Sequence, residues 1–362
     1  MEAENLKPAI RVFGADRGDA RRRLDRVLVR HLADLPGASR SRLQGWIAAG
    51  RVRVNGMAAV RPARCLAAGD RVEIALAGLS REPRPRPAPE EIALSVLYED
   101  EHLLAVDKPA GMVVHPAPGH RAGTLINALL WRAQSWGAEA ARPGLVNRLD
   151  RGTSGVVLVA KSGAAHSGLA RALRRRAIEK DYLALVYGTT PLCKGRIALK
   201  VARDGADRRR MTASRIEGRD AVTLYERLCE GGGRRPARER NPGARSAERD
   251  QGAEQGAAGR RETALSLLRC RLVTGRTHQI RVHLRAAALP LVGDPLYGAP
   301  RYKGLADPAL AAACRDFPRQ ALHAHRLALR HPVSGAPLEL LAPVPDDLLV
   351  LFRAAGLCSR LA

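Results

Sequence analysis

Four stretches of this 362-residue chain gather side chains able to do chemistry. Asp150 stands in NRLDRGTSG (147–155), flanked by Arg148 and Arg151. TGRTHQIRVHL (274–284) brings Arg276, His278, Gln279, Arg281 and His283. KDYLALVYG (180–188) carries Tyr182, and RQALHAHR (319–326) carries Arg319, Gln320, His323 and His325. An aspartate between two arginines is ordinarily a salt-bridged surface residue; the sharper reading makes it an active-site carboxylate. The histidines invite a metal reading. His278 and His283, five apart, share neither a helix face nor a strand face, and His323 and His325 lack an accompanying cysteine or acid cluster. A structural role is expected for them, with no metal. Neither Gly-x-x-x-x-Gly-Lys nor His-Glu-x-x-His occurs, so nothing asks for a nucleotide cofactor or a catalytic zinc.

The elements that must hold these residues are partly readable. VVLVA (156–160) is a continuous apolar run, a buried strand, and Gly152-Thr153-Ser154-Gly155 permits a tight loop just before it, so Asp150 belongs at the mouth of a sheet. KDYLALVYG reads as a strand. Upstream, residues 22–80 form a compact module. Leu24, Val27, Leu28 and Leu32 recur at helical spacing, and Ser39 or Ser41 starts a second helix with Leu43, Trp46 and Ile47, ending before Gly50. RVRVNG then alternates into the hairpin signal Asn55-Gly56, and RVEIAL follows the turn Gly69-Asp70. Arg40, Arg42, Arg51 and Arg53 would give this module a basic face.

Composition sets the boundaries. Residues 1–21 read as an N-terminal tail. REPRPRPAPE (81–90), with four prolines, is an extended linker. A second domain covers 91–350, and 351–362 are a C-terminal tail. Residues 231–261 hold seven glycines and eight arginines with alanine as the only apolar type, so a disordered insertion is expected. No run of 18 apolar residues and no apolar leader appear, and six scattered cysteines without a Cys-x-x-Cys pair fit a reducing cytosol: no membrane, a cytoplasmic location. The 61 basic residues exceed the 36 acidic ones by 25, which implies a polyanionic partner, with nucleic acid first. Of the 61, only seven are lysine, a skew that fits a GC-rich genome.

Taken together, RLDRVLVRHL…SRSRLQGWIAAGRVRVNG resembles an S4 RNA-binding domain. The four chemical segments in their order, with VLYEDEHLLAVDKPAGMVVHPAPGHRAGTLINALL (96–130), resemble the RluA-type pseudouridine synthases, and within them the RluD branch that acts on large-subunit ribosomal RNA. The resemblance implies an α+β fold: a catalytic domain with a bent, mostly antiparallel sheet behind a small S4-like α/β RNA-binding domain. It implies isomerisation of a flipped-out uridine to pseudouridine, without cofactor, by a monomer on rRNA or a pre-ribosomal particle. Asp150 would be the catalytic carboxylate, Arg281 its cation with Arg276 as a second candidate, and Tyr182 the ring against the uracil. Leu and Ile side chains of the QIR and RVHL stretch would floor the pocket. Arg148 and Arg151 would hold flanking phosphates or neutralise the acid loop. The family's segment usually reads His-Arg-Leu-Asp; here Asn147 replaces the histidine. Two other readings stay open: another rRNA or tRNA site, and an rRNA-binding assembly factor without catalysis.

Overall fold

The computed structural model describes residues 10–35, 38–76, 87–117, 119–136, 143–207, 209–231 and 264–357. The chain divides into two units, Met1–Arg86 and Pro87–Ala362.

The first unit contains β1 (Ile10–Gly14), α1 (Leu24–His31), α2 (Arg40–Ala48), β2 (Val52–Val54), β3 (Met57–Ala58) and β4 (Arg71–Ala75). Its four strands run in the order β1-β4-β2-β3, every pair antiparallel. The periodic residues explain the elements: Leu24, Val27 and Leu28 of α1 and Leu43, Trp46 and Ile47 of α2 are buried together against Val52, Val54, Val72 and Ile74. Ser39 takes the N-cap position of α2, and Gly50, at φ 69°, lies just past its end. Asn55 and Gly56 both have positive φ (52° and 80°), the mirror-image turn whose twist suits a two-residue hairpin. One boundary differs from expectation. Residues 10–14 of the supposed tail are β1, because the alternating Ile10-Arg11-Val12-Phe13 pairs along the whole of β4 and supplies its second neighbour.

The second unit is built on one sheet. Its elements are β5 (Ser95–Glu99), β6 (Leu103–Lys108), α3 (Leu125–Ala133), β7 (Gly144–Leu145), β8 (Ser154–Ala160), α4 (Gly163–Arg174), β9 (Glu179–Tyr187), β10 (Lys194–Ala198), β11 (Lys200–Arg203), β12 (Met211–Ser214), β13 (Val222–Gly231), β14 (Leu265–Leu272), α5 (Gln279–Ala286), α6 (Pro308–Asp316), β15 (Leu322–Arg330), β16 (Pro337–Leu341) and α7 (Asp346–Ala354). The strands follow β10-β13-β14-β9-β15-β8-β6-β5, with β16 on β15 and β7 on β8 as side branches. All pairings are antiparallel except β15 with β8, so the mostly antiparallel α+β architecture is observed. β11 and β12 form a separate hairpin. β8 is buried along its full length, as its unbroken apolar run requires when both faces are covered. One apolar cluster joins Leu104, Val157, Tyr182 and Leu268 to Ile280 and Leu284; another joins Leu183, Leu185 and Leu267 to Leu348, Leu351 and Phe352.

Two further boundaries move. Residues 87–90 of the proline-rich stretch are tied to α3: Asn127 Nδ2 donates to the Ala88 carbonyl (2.7 Å), and Glu90 N–H donates to the Asn127 carbonyl (3.1 Å). A boundary at 350 would cut α7, whose apolar residues Leu348, Leu351 and Phe352 are buried, so the helix belongs to the core. The supposed insertion lies outside the described residues except for Gly231, and so do residues 81–86 of the linker.

Candidate active site

Asp150 sits on the loop that feeds β8, and that loop is held from several sides. Asn147, where the resembling family carries histidine, acts as a strand extension. Its Nδ2 donates to the Val156 carbonyl and its Oδ1 accepts from Leu158 N–H, both at 2.9 Å, continuing the pairing of β7 along β8. Thr153 N–H closes the turn onto the Asp150 carbonyl (3.0 Å). Gln320 Nε2 donates to Thr153 Oγ1 (3.0 Å), and Arg319 Nη1 to the Gly152 carbonyl (3.2 Å). From below, the fully buried Lys108 donates to the carbonyls of Pro109 (2.7 Å), Met112 (3.0 Å) and Arg151 (3.4 Å). Burial lowers the Lys108 pKa to about 8.

Opposite the loop stands α5. Its N-cap, His278, has a left-handed backbone (φ 55°). The buried Gln279 anchors the helix start, its Oε1 accepting from Thr274 Oγ1 (2.8 Å) and Arg276 N–H (3.0 Å) and its Nε2 donating to the Val222 carbonyl (3.0 Å). One turn inside, Arg281 Nη1 donates to Asp150 Oδ2 at 2.9 Å. The guanidinium also grips Asp294 in the fork geometry, Nε to Oδ2 at 2.7 Å and Nη2 to Oδ1 at 2.8 Å. Burial by itself would lower the Arg281 pKa; the hydrogen bonds and charges of Asp294 and Asp150 outweigh it and raise it. Asp294 is fully buried at its carboxylate; burial would raise its pKa, yet the Arg281 bonds leave it lowered. The arginine is therefore a permanent cation fixed in place, and Asp150 takes the one edge left to it.

A second chain of contacts reaches Asp150 through Tyr297. Met211 N–H donates to the Tyr297 hydroxyl oxygen (2.7 Å), and that hydroxyl lies 2.9 Å from His278 Nδ1. The phenol O–H can donate to Nδ1, an arrangement that leaves the imidazole proton on Nε2. Nε2 is 3.8 Å from Asp150 Oδ1. Burial lowers the His278 pKa, which keeps the ring neutral near neutrality. The Arg281 guanidinium also lies over the Tyr297 ring, 5.0 Å from its centroid.

The pocket at Asp150 has a small recess of about 50 Å³ lined by Tyr182, Leu272, Ile280 and Leu322. It opens beside a cavity of about 930 Å³. Tyr182 is buried, and burial pushes its phenol well above the usual range, so it stands in the wall as a neutral ring with an O–H.

Among the residues read from the sequence, the structure thus brings Asp150, Tyr182 and Arg281 together. Arg276 lines the recess and the cavity but makes no bond to Asp150: its Nε donates to the Asp220 carbonyl (3.2 Å). Arg148 and Arg151 are exposed, and Arg151 donates to the Gly111 carbonyl (3.3 Å); the acid they flank is paired with Arg281 instead. Ile280 lines the recess, and Leu284 lies in the core behind it. His283 bonds Thr223 Oγ1 (2.9 Å) and the Leu199 carbonyl (3.1 Å), and His323 bonds Ser154 Oγ (3.0 Å) and the Ala342 carbonyl (3.3 Å). In the first unit, Arg40 is committed to the buried Asp25 (3.0 and 2.9 Å), Arg42 lies over the Trp46 ring, and Arg51 and Arg53 are exposed. Sequence reading missed Asp294 and Tyr297; the one signal was an acid and a tyrosine in the otherwise apolar, glycine-punctuated LPLVGDPLYG.

Residues 102–286 match the family described as RNA pseudouridylate synthase. The chain is 42% identical to the ribosomal large subunit pseudouridine synthase D of Xanthomonas campestris pv. campestris, over 98% of this chain and 95% of that one. It is 38% identical to the protein of that name in Pseudomonas aeruginosa, over 87% of each. Among solved structures, human RNA pseudouridylate synthase domain containing 4 aligns over 72% of this chain and 93% of its own, at TM-score 0.51 and 21% identity, a likeness of fold.

Proposed function

Since the chain belongs to the RNA pseudouridylate synthase family, RluA type, we propose that it isomerises uridine to pseudouridine in large-subunit ribosomal RNA, with Asp150 as the reacting carboxylate. The relatives in Xanthomonas campestris pv. campestris and Pseudomonas aeruginosa bear that activity in their names. The observation that carries the reading is the Asp150–Arg281–Asp294 arrangement. In the reaction the N1–C1′ bond breaks, a C5–C1′ bond forms, and a proton leaves C5 while one is taken up at N1. No electrons are gained or lost. The protein must present a carboxylate to the sugar or base and hold the uracil while it turns. Arg281 fixes Asp150 Oδ2, and Oδ1 accepts no hydrogen bond among the described residues, which leaves it for the substrate. Tyr182 supplies a ring face for the uracil and a neutral O–H through which the C5 proton can be relayed.

The target must be unpaired or flipped out for C1′ to be reached. The first unit is proposed as the RNA-binding module, with Arg42, Arg51 and Arg53 at its face. No helix among the described residues is long and apolar enough to cross a membrane, and the protein is proposed to act as a monomer in the cytoplasm on rRNA or its precursor particle. Asn147 motivated a reading without catalysis. Its amide is spent on β8, so this position builds the loop and takes no part in proton transfer, which supports an active enzyme. The test compares wild type with Asp150→Ala by carbodiimide primer extension of rRNA. Modification by wild type alone is expected; equal modification by both overturns the proposal.

A further inference from the structure

Beyond Asp150 and Tyr182 the large cavity continues along the start of β9 to the end of α4. Six of its lining residues are cationic: Arg148, Arg151, Arg174, Arg176, Lys180 and Arg276. Among the described lining residues Asp150 is the one carboxylate. Arg151 and Arg276 are spent on backbone carbonyls. The side chains of Arg148, Arg174, Arg176 and Lys180 have no hydrogen-bond or ion-pair partner among the described residues.

Two of these residues are placed at a cost. Lys180 lies two residues before Tyr182 on β9, so both side chains leave the same face of the strand. It is half-buried with no counter-charge, and burial lowers its pKa. Across from it Gly275 leaves space: a β-carbon there would stand 4.0 Å from the ammonium nitrogen. Arg176 occupies the left-handed position (φ 55°) that ends α4. The flanking bonds, Arg176 N–H to the Leu173 carbonyl (3.1 Å) and Ala177 N–H to the Ala172 carbonyl (2.9 Å), are those of a Schellman turn, where glycine is the unstrained choice. Attraction to the helix C-terminus accounts for Arg174 and contributes at Arg176, where it competes with the strain of the left-handed backbone, but it does not account for a lysine on a strand.

We propose that Lys180, with Arg174, Arg176 and Arg148, forms a phosphate-binding subsite that grips the RNA backbone beside the target uridine. The inference rests on the reading of Asp150 as the uridine-modifying carboxylate. A phosphate arriving there supplies the charge the ammonium lacks, and its capture holds the strand while the target base leaves the stack.

The test uses the full-length protein and a transcribed rRNA stem-loop. Lys180→Met keeps the aliphatic stem, and Arg176→Gly removes a cation while relaxing the turn. Lys180→Met is expected to weaken RNA binding about tenfold, felt in KM far more than in kcat, and to reduce the salt dependence of log Kd by roughly one charge. Lys180→Arg should restore most of the affinity. Arg176→Gly should weaken binding while raising Tm, a pairing that a purely structural arginine would not give. In a chemically synthesised version of the stem-loop, a methylphosphonate at one phosphate flanking the target should weaken wild type but not Lys180→Met. Unchanged affinity and salt slope in both variants, or a loss confined to kcat, overturns the subsite. If wild type binds with the expected lysine dependence yet forms no pseudouridine, the subsite stands and the proposed reaction fails.

Discussion

At the scale of single residues, the hold on Asp150 depends on an acid whose own carboxylate is fully buried. Asp294 takes two of the three hydrogen bonds Arg281 makes, and both side chains are buried. Removing one partner of a buried pair strands the other, at about 3–5 kcal/mol. Asp294→Ala should therefore lower stability by roughly that amount in urea unfolding and abolish pseudouridine formation, since a released Arg281 no longer holds Asp150. Wild-type turnover in this variant would show that Asp150 is held by something else. Tyr297→Phe deletes the hydroxyl that links Met211 N–H to His278 Nδ1. It should cost about 1 kcal/mol of stability and depress kcat more than KM, because the imidazole beside Asp150 loses its orientation. Asp150 and Arg281 were legible in the sequence because each sits in a motif. Asp294 was not: it is held by a partner 13 residues earlier across a loop, a spacing with no helical or strand period.

At the scale of elements, β8 and β15 meet at a close backbone approach. Gly155 has φ 114°, and a β-carbon there would strike the Ala324 carbonyl oxygen. Gly155→Ala should then push β15 away from the strand that follows Asp150, costing several kcal/mol in unfolding and most of the activity; an unperturbed melt would refute the close approach. His323 lies in the same seam, paired with Ser154, and burial lowers its pKa to about 4. Below about pH 6.5 the unfolded chain takes up a proton that the native ring refuses until about pH 4. Native stability should fall across that window by up to about 3 kcal/mol from this residue, and His323→Gln should flatten the slope of urea-derived stability against pH. The apolar run of β8 and the helical spacing of α1 announced those elements, because burial writes its period into local sequence. The order of strands around β15 was not visible: a single parallel pairing between residues some 170 positions apart leaves no local trace.

At the scale of the whole molecule, the buried cluster of the first unit draws every member from residues 15–74. Residues 1–86 expressed alone should give a dispersed amide NMR spectrum and a cooperative melt; collapse to random-coil shifts would show that its stability comes from elsewhere. The excess of 25 positive charges, which composition could assign only to some polyanion, now falls partly on an identifiable wall beside Asp150. The stretch after Gly231 stood out in composition alone, because glycine, arginine and alanine carry no periodic pattern. Its attachment points are a different matter. Gly231 and Leu265 are directly paired across β13 and β14, while Leu272, seven residues further along β14, lines the cavity beside Asp150. At about 3.4 Å per residue the two ends of that strand are roughly 24 Å apart. The ladder therefore closes itself, and the register reaching the cavity is independent of what joins the strands at the far edge. For the protein engineer this is a ready port: a fluorophore, an affinity handle or an entire second enzyme spliced between Gly231 and Leu265 would ride on the synthase without disturbing the Asp150 loop.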